Sequence, residues 1–268
     1  MDEQIAANLA RWDELVGINA ASDLYDVADF KSGTSSLDSI QIEELGDVSG
    51  KSVLHLLCHL GLDGLSLARE GATVTGMDFS QQAVDFAQGL ADELGLDARF
   101  ICSDMYDLPN HLDGQFDIVL MSYGVVGWLK DLDRWAEITA GYLKPGGSVH
   151  VVEFHPFAEM FDDRNPEFVL TYPYFRQQEA VRTDWDGAYA DPTAKVEHTV
   201  AYSWQAGIGD LFMAVLRAGL RIESYRELPT CNEQLRPGLV QGADKLWRTP
   251  DGIPDLPITY ALKASKPA

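Results

Sequence analysis

Residues 53–78, VLHLLCHLGLDGLSLAREGATVTGMD, decide the fold. The apolar run from about Ser52 to Leu57 reads as a buried strand. It runs into the loop Cys58-His59-Leu60-Gly61-Leu62-Asp63-Gly64 and then into a helix that begins near Asp63 and stops at Gly71, a glycine suited to a helix C-terminus. A second buried strand, Thr73–Met77, leads to Asp78. This layout builds a nucleoside pocket at the carboxyl edge of a parallel sheet. Backbone N–H groups are free to face a ligand where a strand enters a helix through glycine, and Gly61 and Gly64 are expected to clear space there. The dinucleotide pattern Gly-x-Gly-x-x-Gly is absent: only Gly61-x-x-Gly64 remains, with Leu57 and His59 where glycine could stand.

Downstream, helix Gln81–Leu94 places Ala83, Phe86, Ala87, Leu90 and Leu94 on one face and ends at Gly95. Strands follow at Ala98–Cys102, Phe116–Met121 and Ser148–Phe154, with helix Leu132–Leu143 stopped by Lys144-Pro145-Gly146-Gly147. This alternation predicts an α/β protein, a parallel sheet with helices on both faces. Upstream, Ile5, Leu9, Trp12 and Leu15 recur at helical spacing. Residues 156–205 lose the rhythm and gather Tyr, Trp, Phe and Asp, which reads as an inserted cap or hairpin. Regular structure returns with helix Asp210–Ala218 and strands near Arg221–Arg226 and Ile258–Lys263. The expected units are an N-terminal helical lid segment (1–50), a cofactor-binding core (51–155), a cap or substrate segment (156–205) and the C-terminal part of the core sheet (206–268).

Forty-two acids against 20 Lys and Arg give a formal charge of −22, which disfavours nucleic acid and anionic membrane partners. The charge reads either as adaptation for solubility or salt, or as steering of cationic ligands. Cys58, Cys102 and Cys231 are odd in number and widely spaced, which suits a reducing cytoplasm rather than a disulfide framework. MDEQIAANLARWDELV is acidic and amphipathic, unlike a signal peptide, and no apolar run approaches ~18 residues. No cluster has metal-ligand spacing and no nucleophile elbow occurs, so no metal is expected.

Asp78 follows Gly61 by 17 residues at a strand end, where a carboxylate can accept both hydroxyls of a ribose or cap the next helix, a task Ser80 also fits. Asp104, in Cys102-Ser103-Asp104-Met105, can accept from an adenine amino group with Met105 on the ring, or cap its loop.

The segments VLHLLCHLGLDGLSLA, VTGMDFS, CSDMYDLP, FDIVLMSYGVVGWL and YLKPGGSVHVVEFHP, in this order, resemble the successive motifs of class I S-adenosylmethionine-dependent methyltransferases. More closely the chain resembles the bacterial type 11/12 branch with a Cys-His-x-Gly first loop, over about residues 20–155. The resemblance implies a Rossmann-like three-layer sandwich, a seven-stranded mostly parallel sheet with the last strand antiparallel, and S-adenosyl-L-methionine as cofactor. It implies that Asp78 holds the ribose, that Phe79 and Met105 flank the adenine with Asp104 at its amino group, and that the backbone of Cys58 to Gly61 lines the methionine part. It also implies that Ser122 and Tyr123 close the site near the methyl group and that Tyr25 and Phe30 fold over as a lid. Aligned with the family's acid-x-Gly-x-Gly-x-Gly motif, His55 stands at the acid, Leu57 at the first glycine, His59 at the second, and Gly61 is kept. His59 then serves either cofactor or substrate contact or loop packing, and His55 reads as a strand residue.

Methyl transfer from a sulfonium needs mainly alignment and a shielded pocket, plus a base if the acceptor carries a proton. Candidates at the ends of the fourth and fifth strands are Tyr123, Glu153 and His155. Histidine has a suitable resting pKa, and Glu153 can alternatively bind a cationic substrate. Cap aromatics Tyr172, Tyr174, Phe175, Trp185, Tyr189, Tyr202 and Trp204 suit an apolar, aromatic or cationic small-molecule acceptor, or a small cap core. The expected activity is N- or O-methylation by a monomer or homodimer. The alternatives are a non-catalytic S-adenosylmethionine binder and an NAD(P)-dependent reductase.

Overall fold

The computed structural model describes residues 2–162, 164–191 and 193–268. Five strands alternate with helices over the first part of the chain: β1 (Ser52–Leu56), β2 (Thr73–Asp78), β3 (Ala98–Cys102), β4 (Phe116–Ser122) and β5 (Leu143–Phe154). The helices are α1 (Glu3–Ala20), α2 (Val27–Ser32), α3 (Ser39–Leu45), α4 (Leu62–Arg69), α5 (Gln81–Leu94) and α6 (Leu132–Tyr142). The hairpin β6 (Val181–Asp184) and β7 (Val200–Ser203) follows, then α7 (Ile208–Arg217), β8 (Arg221–Leu228), β9 (Val240–Gln241), β10 (Trp247–Arg248) and β11 (Thr259–Ser265).

The main sheet has the order β3-β2-β1-β4-β5-β11-β8, and β11 runs antiparallel to both of its neighbours. This is the expected Rossmann-like sandwich with the last strand reversed. Central strands read as continuous apolar runs because both faces are covered. Leu54, Leu56, Met121, Val149 and Val151 pack on one face with Trp135 of α6 and Val215 of α7. Val53, Val74, Ile118 and Leu120 pack on the other, with Leu67 of α4. Ser80 caps α5 by accepting from the Ala83 N–H at 3.1 Å, and Gly95 ends it in the left-handed region.

Two differences from the sequence reading have local causes. β5 begins at Leu143, before the Lys-Pro-Gly-Gly turn, because Leu143 pairs with Phe116 across an irregularity that the turn creates. Residues 229–258 leave the sheet between β8 and β11, carry the β9–β10 hairpin, and bring Cys231 and Leu239 against Phe154 and Ile258.

The N-terminal helix and the inserted hairpin form one roof. Asn8 exchanges two backbone bonds with Tyr202, each 2.8 Å. The Arg11 guanidinium donates to the carbonyls of Trp185, His198 and Gly187, each at 2.9 Å. Glu14 accepts from the N–H groups of Glu197 and His198. These bonds use the side chains of α1 on hairpin backbone, so neither piece is oriented alone.

Candidate functional site

The sheet reverses its order between β1 and β4, and a crevice opens at the carboxyl ends of these strands. Asp78 ends β2 beside it and is 6% exposed. Its Oδ2 accepts from the His59 N–H at 2.9 Å and its Oδ1 from the Ser80 N–H at 3.0 Å. Each oxygen keeps a second lone pair, so the carboxylate has capacity for two hydroxyl donors of a diol. The cap of α5 belongs to Ser80, whose hydroxyl also donates to Asp13 of α1. Burial lifts the Asp78 carboxyl to about 6, against the hydrogen bonds that favour its ionised form.

The loop after β1 has the backbone of a glycine turn without its glycines. Leu57 and His59 lie at φ of 52° and 47°, and Gly61 at 74°. Left-handed non-glycine residues cost on the order of 1–3 kcal/mol each and persist only where their surroundings fix them. Here the fixing bonds are Cys58 N–H to the Met77 carbonyl, 2.9 Å, and His59 N–H to Asp78. Gly61 is required by packing rather than by a ligand: a Cβ there would stand 2.7 Å from Phe100 and 2.8 Å from Ala87. Gly64 likewise faces Val74, at 3.1 Å. α4 has Gly61 at its N-cap and no capping side chain, so its first-turn N–H groups remain available.

His59 carries its ring up to the roof. The ring packs edge-on against Trp12 (5.4 Å) and Tyr25 (5.6 Å), and Nε2 lies 2.8 Å from Asn19 Nδ2. Burial holds this histidine down at about 4, so Nε2 is an acceptor for the Asn19 amide at neutral pH. Asn19 also donates to the Tyr189 hydroxyl at 3.0 Å, and Tyr189 is hydrogen-bonded to the Tyr25 hydroxyl. Trp12 meets Trp128 of the loop after β4 at 5.4 Å. The loop after β1, α1 and the β6–β7 segment therefore converge on one cluster of aromatic rings.

Other expected residues fall near it. Ser103 donates its N–H to the Asp78 carbonyl at 2.9 Å, which sets Asp104 beside β2; Asp104 accepts from the Tyr106 N–H at 2.8 Å. Phe79 follows Asp78 and is half-buried, whereas Met105 is buried in the core cluster between the sheet and α6. Cys58 is buried, and burial pushes its thiol well up, so it presents backbone rather than a thiolate.

Several candidates are spoken for elsewhere. His155 is 4% exposed; its Nδ1 accepts from the Phe157 N–H at 3.0 Å and its Nε2 pairs with Glu227 of β8 at 3.0 Å. With both nitrogens engaged it anchors the strand end. Glu153 accepts from the backbone N–H groups of Gly124, Val125, Val126 and Phe154, which fills its carboxylate and fixes the loop after β4. The Tyr123 hydroxyl donates to Asp38, and burial beside that carboxylate pushes its pKa well up. Ser122 turns the other way and donates to Asp63 at 2.8 Å. Phe30 is core, under the Arg69 guanidinium at 4.0 Å, and not a lid.

The sequence reading passed over Asn19, Glu159 and Glu233. Burial lifts Glu159 to about 8 and Glu233 to about 7, and the charge of Glu153 adds to both shifts. The charge of Glu233 also reaches Tyr25 and Tyr189. A short polar residue late in α1 and acids 74 residues apart carry no local signal of convergence.

These raised carboxyls make a pH prediction. In the unfolded chain the three titrate near 3.8 to 4.5, whereas in the fold they hold protons to about 6, 7 and 8. Their contribution to stability is complete below the unfolded values and is lost as pH rises through the folded ones. Thermal melting is expected to fall by roughly 5–10 °C between pH 5.5 and 8.5, on the order of 3 kcal/mol. A melting temperature that is flat or rises across this range would contradict it.

A surface depression of about 570 Å³ lies apart from this site, over α6 and α7. Its charges are committed to pairs such as Arg217–Asp133, 3.2 Å, and Arg134–Glu137, 3.1 Å. Among the described residues no group of three or more His, Cys, Asp or Glu can hold a metal ion, and no helix is long and apolar enough to cross a membrane.

Comparison with known proteins gives the geometry a context. Residues 53–147 match the model of a methyltransferase domain family, which is less than half of the chain. The ubiquinone biosynthesis O-methyltransferase of Coxiella burnetii is 32% identical over 108 residues, covering 40% of this chain and 45% of that enzyme. The Escherichia coli enzyme of the same name is 32% identical over 107 residues, covering 40% and 44%. The match thus spans less than half the length of these curated relatives. Among solved structures, an S-adenosylmethionine-dependent methyltransferase from Mesorhizobium loti superposes with a TM-score of 0.59 at 18% identity, covering 88% of this chain and 99% of the other. The glycopeptide N-methyltransferase MtfA superposes with a TM-score of 0.55 at 14% identity, covering 92% of each. These likenesses establish the fold that the strand order already describes.

Proposed function

We propose that this protein is an S-adenosyl-L-methionine-dependent methyltransferase acting on a small molecule, of the branch with a Cys-His-x-Gly first loop, working in the cytoplasm. The observation that carries the reading is the buried Asp78 carboxylate at the end of β2, tied to the first loop through the His59 N–H and keeping acceptor capacity for a diol. The methyltransferase-domain match over residues 53–147 supports it.

The residues present fit the cofactor. Asp78 would take the ribose hydroxyls, Phe79 and Asp104 the adenine, and the backbone from Cys58 to Gly61 with the start of α4 the methionine part. Neutral His59 and Tyr25 would close over it from the loop and the lid. The cofactor supplies an electrophilic methyl group on a positively charged sulfur. The chain's own part is to align an acceptor, exclude water through the roof of α1 and the β6–β7 hairpin, and hold His59 uncharged beside a cationic ligand. A non-catalytic binder is the second reading, favoured by the side chains of Leu57 and His59 on a loop with glycine geometry.

Isothermal titration with S-adenosylhomocysteine and with NADPH tests the proposal. Micromolar binding of the first and none of the second is expected; the reverse would reject it. Tight binding without turnover of any amine, phenol or carboxylate in a broad panel would favour the non-catalytic reading.

A further inference from the structure

We infer that the acceptor is a cationic amine, held against the rings of Trp12, Trp128, Tyr25 and Tyr189 with its ammonium toward Glu233 and Asn19; the inference rests on the methyltransferase reading above. The walls are aromatic: Trp12 lies 5.4 Å from Trp128 and 6.1 Å from Tyr189, and Tyr25 lies 6.5 Å from Tyr189. All four rings keep accessible surface, 39% for Tyr189, although they sit where loop, lid and hairpin meet. Aromatic faces attract cations through their quadrupole, and more strongly when water is excluded.

The polar groups ask for a donor. Asn19 is 0% exposed; its amide nitrogen is anchored to His59 and Tyr189, and its Oδ1 has no hydrogen-bond partner. A buried amide oxygen without a donor costs on the order of 1–3 kcal/mol, so a ligand N–H there is favoured. The Glu233 carboxylate has no hydrogen bond or ion pair among the described residues, and neither has Glu159. Among the described residues no Lys or Arg pairs with either, and the charge of Glu153 adds to both upward shifts. An anionic acceptor would meet only carboxylates and phenols here, whereas an ammonium would relieve the repulsion.

The same groups complete the chemistry. An ammonium has no lone pair, so one proton must leave before attack, and a carboxyl lifted to about 7 is matched to receive it at neutral pH. The amine nitrogen then forms a bond to the methyl carbon as the carbon–sulfur bond breaks, and its electron pair passes to sulfur. The products are an N-methylammonium, S-adenosylhomocysteine and protonated Glu233, which releases its proton to solvent; no further reactant is required.

Calorimetry at pH 7.5 with phenethylamine, 2-phenylethanol and phenylacetate as probes tests this, each titrated into the protein with and without S-adenosylhomocysteine. Phenethylamine is expected to bind about tenfold more tightly than the alcohol, with phenylacetate weakest. Glu233→Gln and Asn19→Ala should each erase most of that preference, and Glu233→Gln should leave S-adenosylhomocysteine affinity within about twofold. Equal binding of amine and alcohol, preference for phenylacetate, or a preference that survives both substitutions overturns the inference. Absence of S-adenosylhomocysteine binding overturns the methyltransferase reading instead.

Discussion

Asp78→Ala is expected to weaken S-adenosylhomocysteine binding by on the order of a hundredfold or more while the protein remains folded. Hydrogen bonds to a charged acceptor contribute about 1.5–3 kcal/mol each, and a ribose diol makes two. The substitution also frees the His59 N–H that Asp78 holds at 2.9 Å, so the strained loop after β1 loses one of the bonds that fix it. Global stability should change little, because two hydrogen bonds are lost while the burial that lifts this carboxyl to about 6 is relieved. Calorimetry together with a thermal melt separates the effects. Unchanged affinity in a folded variant would remove Asp78 from the site. The wild type should also bind progressively more weakly below pH 6, as the carboxylate becomes protonated, and Asp78→Asn should flatten that dependence.

The backbone of this argument is legible in the residues. Helix Gln81–Leu94 and strand Ala98–Cys102 have the bounds that their apolar periods give, and the reversed last strand follows from the resemblance. The placement of Asp78 is legible because its surroundings are local: a strand end, a following Ser80 to take the helix cap, and a loop 17 residues earlier. The partners that engage the expected bases are not legible, for the opposite reason. What His155, Glu153 and Tyr123 do is set by partners 72, 29 and 85 residues away: Glu227, the Gly124 N–H and Asp38. No short pattern announces such partners. The two glycines of the first loop were read as space for a ligand, yet Phe100 of β3 fills the space beside Gly61. Glycine spacing alone does not distinguish a ligand's approach from that of a neighbouring ring.

The roof explains how a loop with two bulky left-handed residues can persist. Family glycines would leave the loop relaxed and the lid unanchored. Here the strain at His59 places an imidazole where α1 reaches it through Asn19, Trp12 and Tyr25. The packing of α1 and the loop conformation are therefore one cooperative arrangement, since each supplies the contacts that fix the other. The same helix is tied through Arg11 and Asn8 to the hairpin backbone that presents Tyr189.

Glu153 should prove the most sensitive position for stability in this region. Its carboxylate is 3% exposed and collects four backbone N–H groups, those of Val125, Val126 and Phe154 at 2.7, 2.9 and 2.7 Å and that of Gly124. Three come from consecutive residues, so one side chain satisfies a whole turn that has no strand or helix partner for them. Glu153→Ala leaves these four donors buried and unpaired, at about 1–3 kcal/mol each, for a total on the order of 4 kcal/mol or more. That corresponds to a melting temperature lower by roughly 10 °C or more. Glu153→Gln should do nearly as badly, because its NH₂ group would face donors where only acceptors fit. The loop it holds carries Tyr123 at φ 42° and Trp128, so whatever turnover the protein shows should be lost with it. His155→Ala offers the contrast: it removes the pairing to a half-exposed Glu227 and one acceptor, that of the Phe157 N–H, and its cost should stay at about 2–3 kcal/mol. If Glu153→Gln melts within 2 °C of the wild type, the turn has other acceptors and the carboxylate is free for chemistry after all.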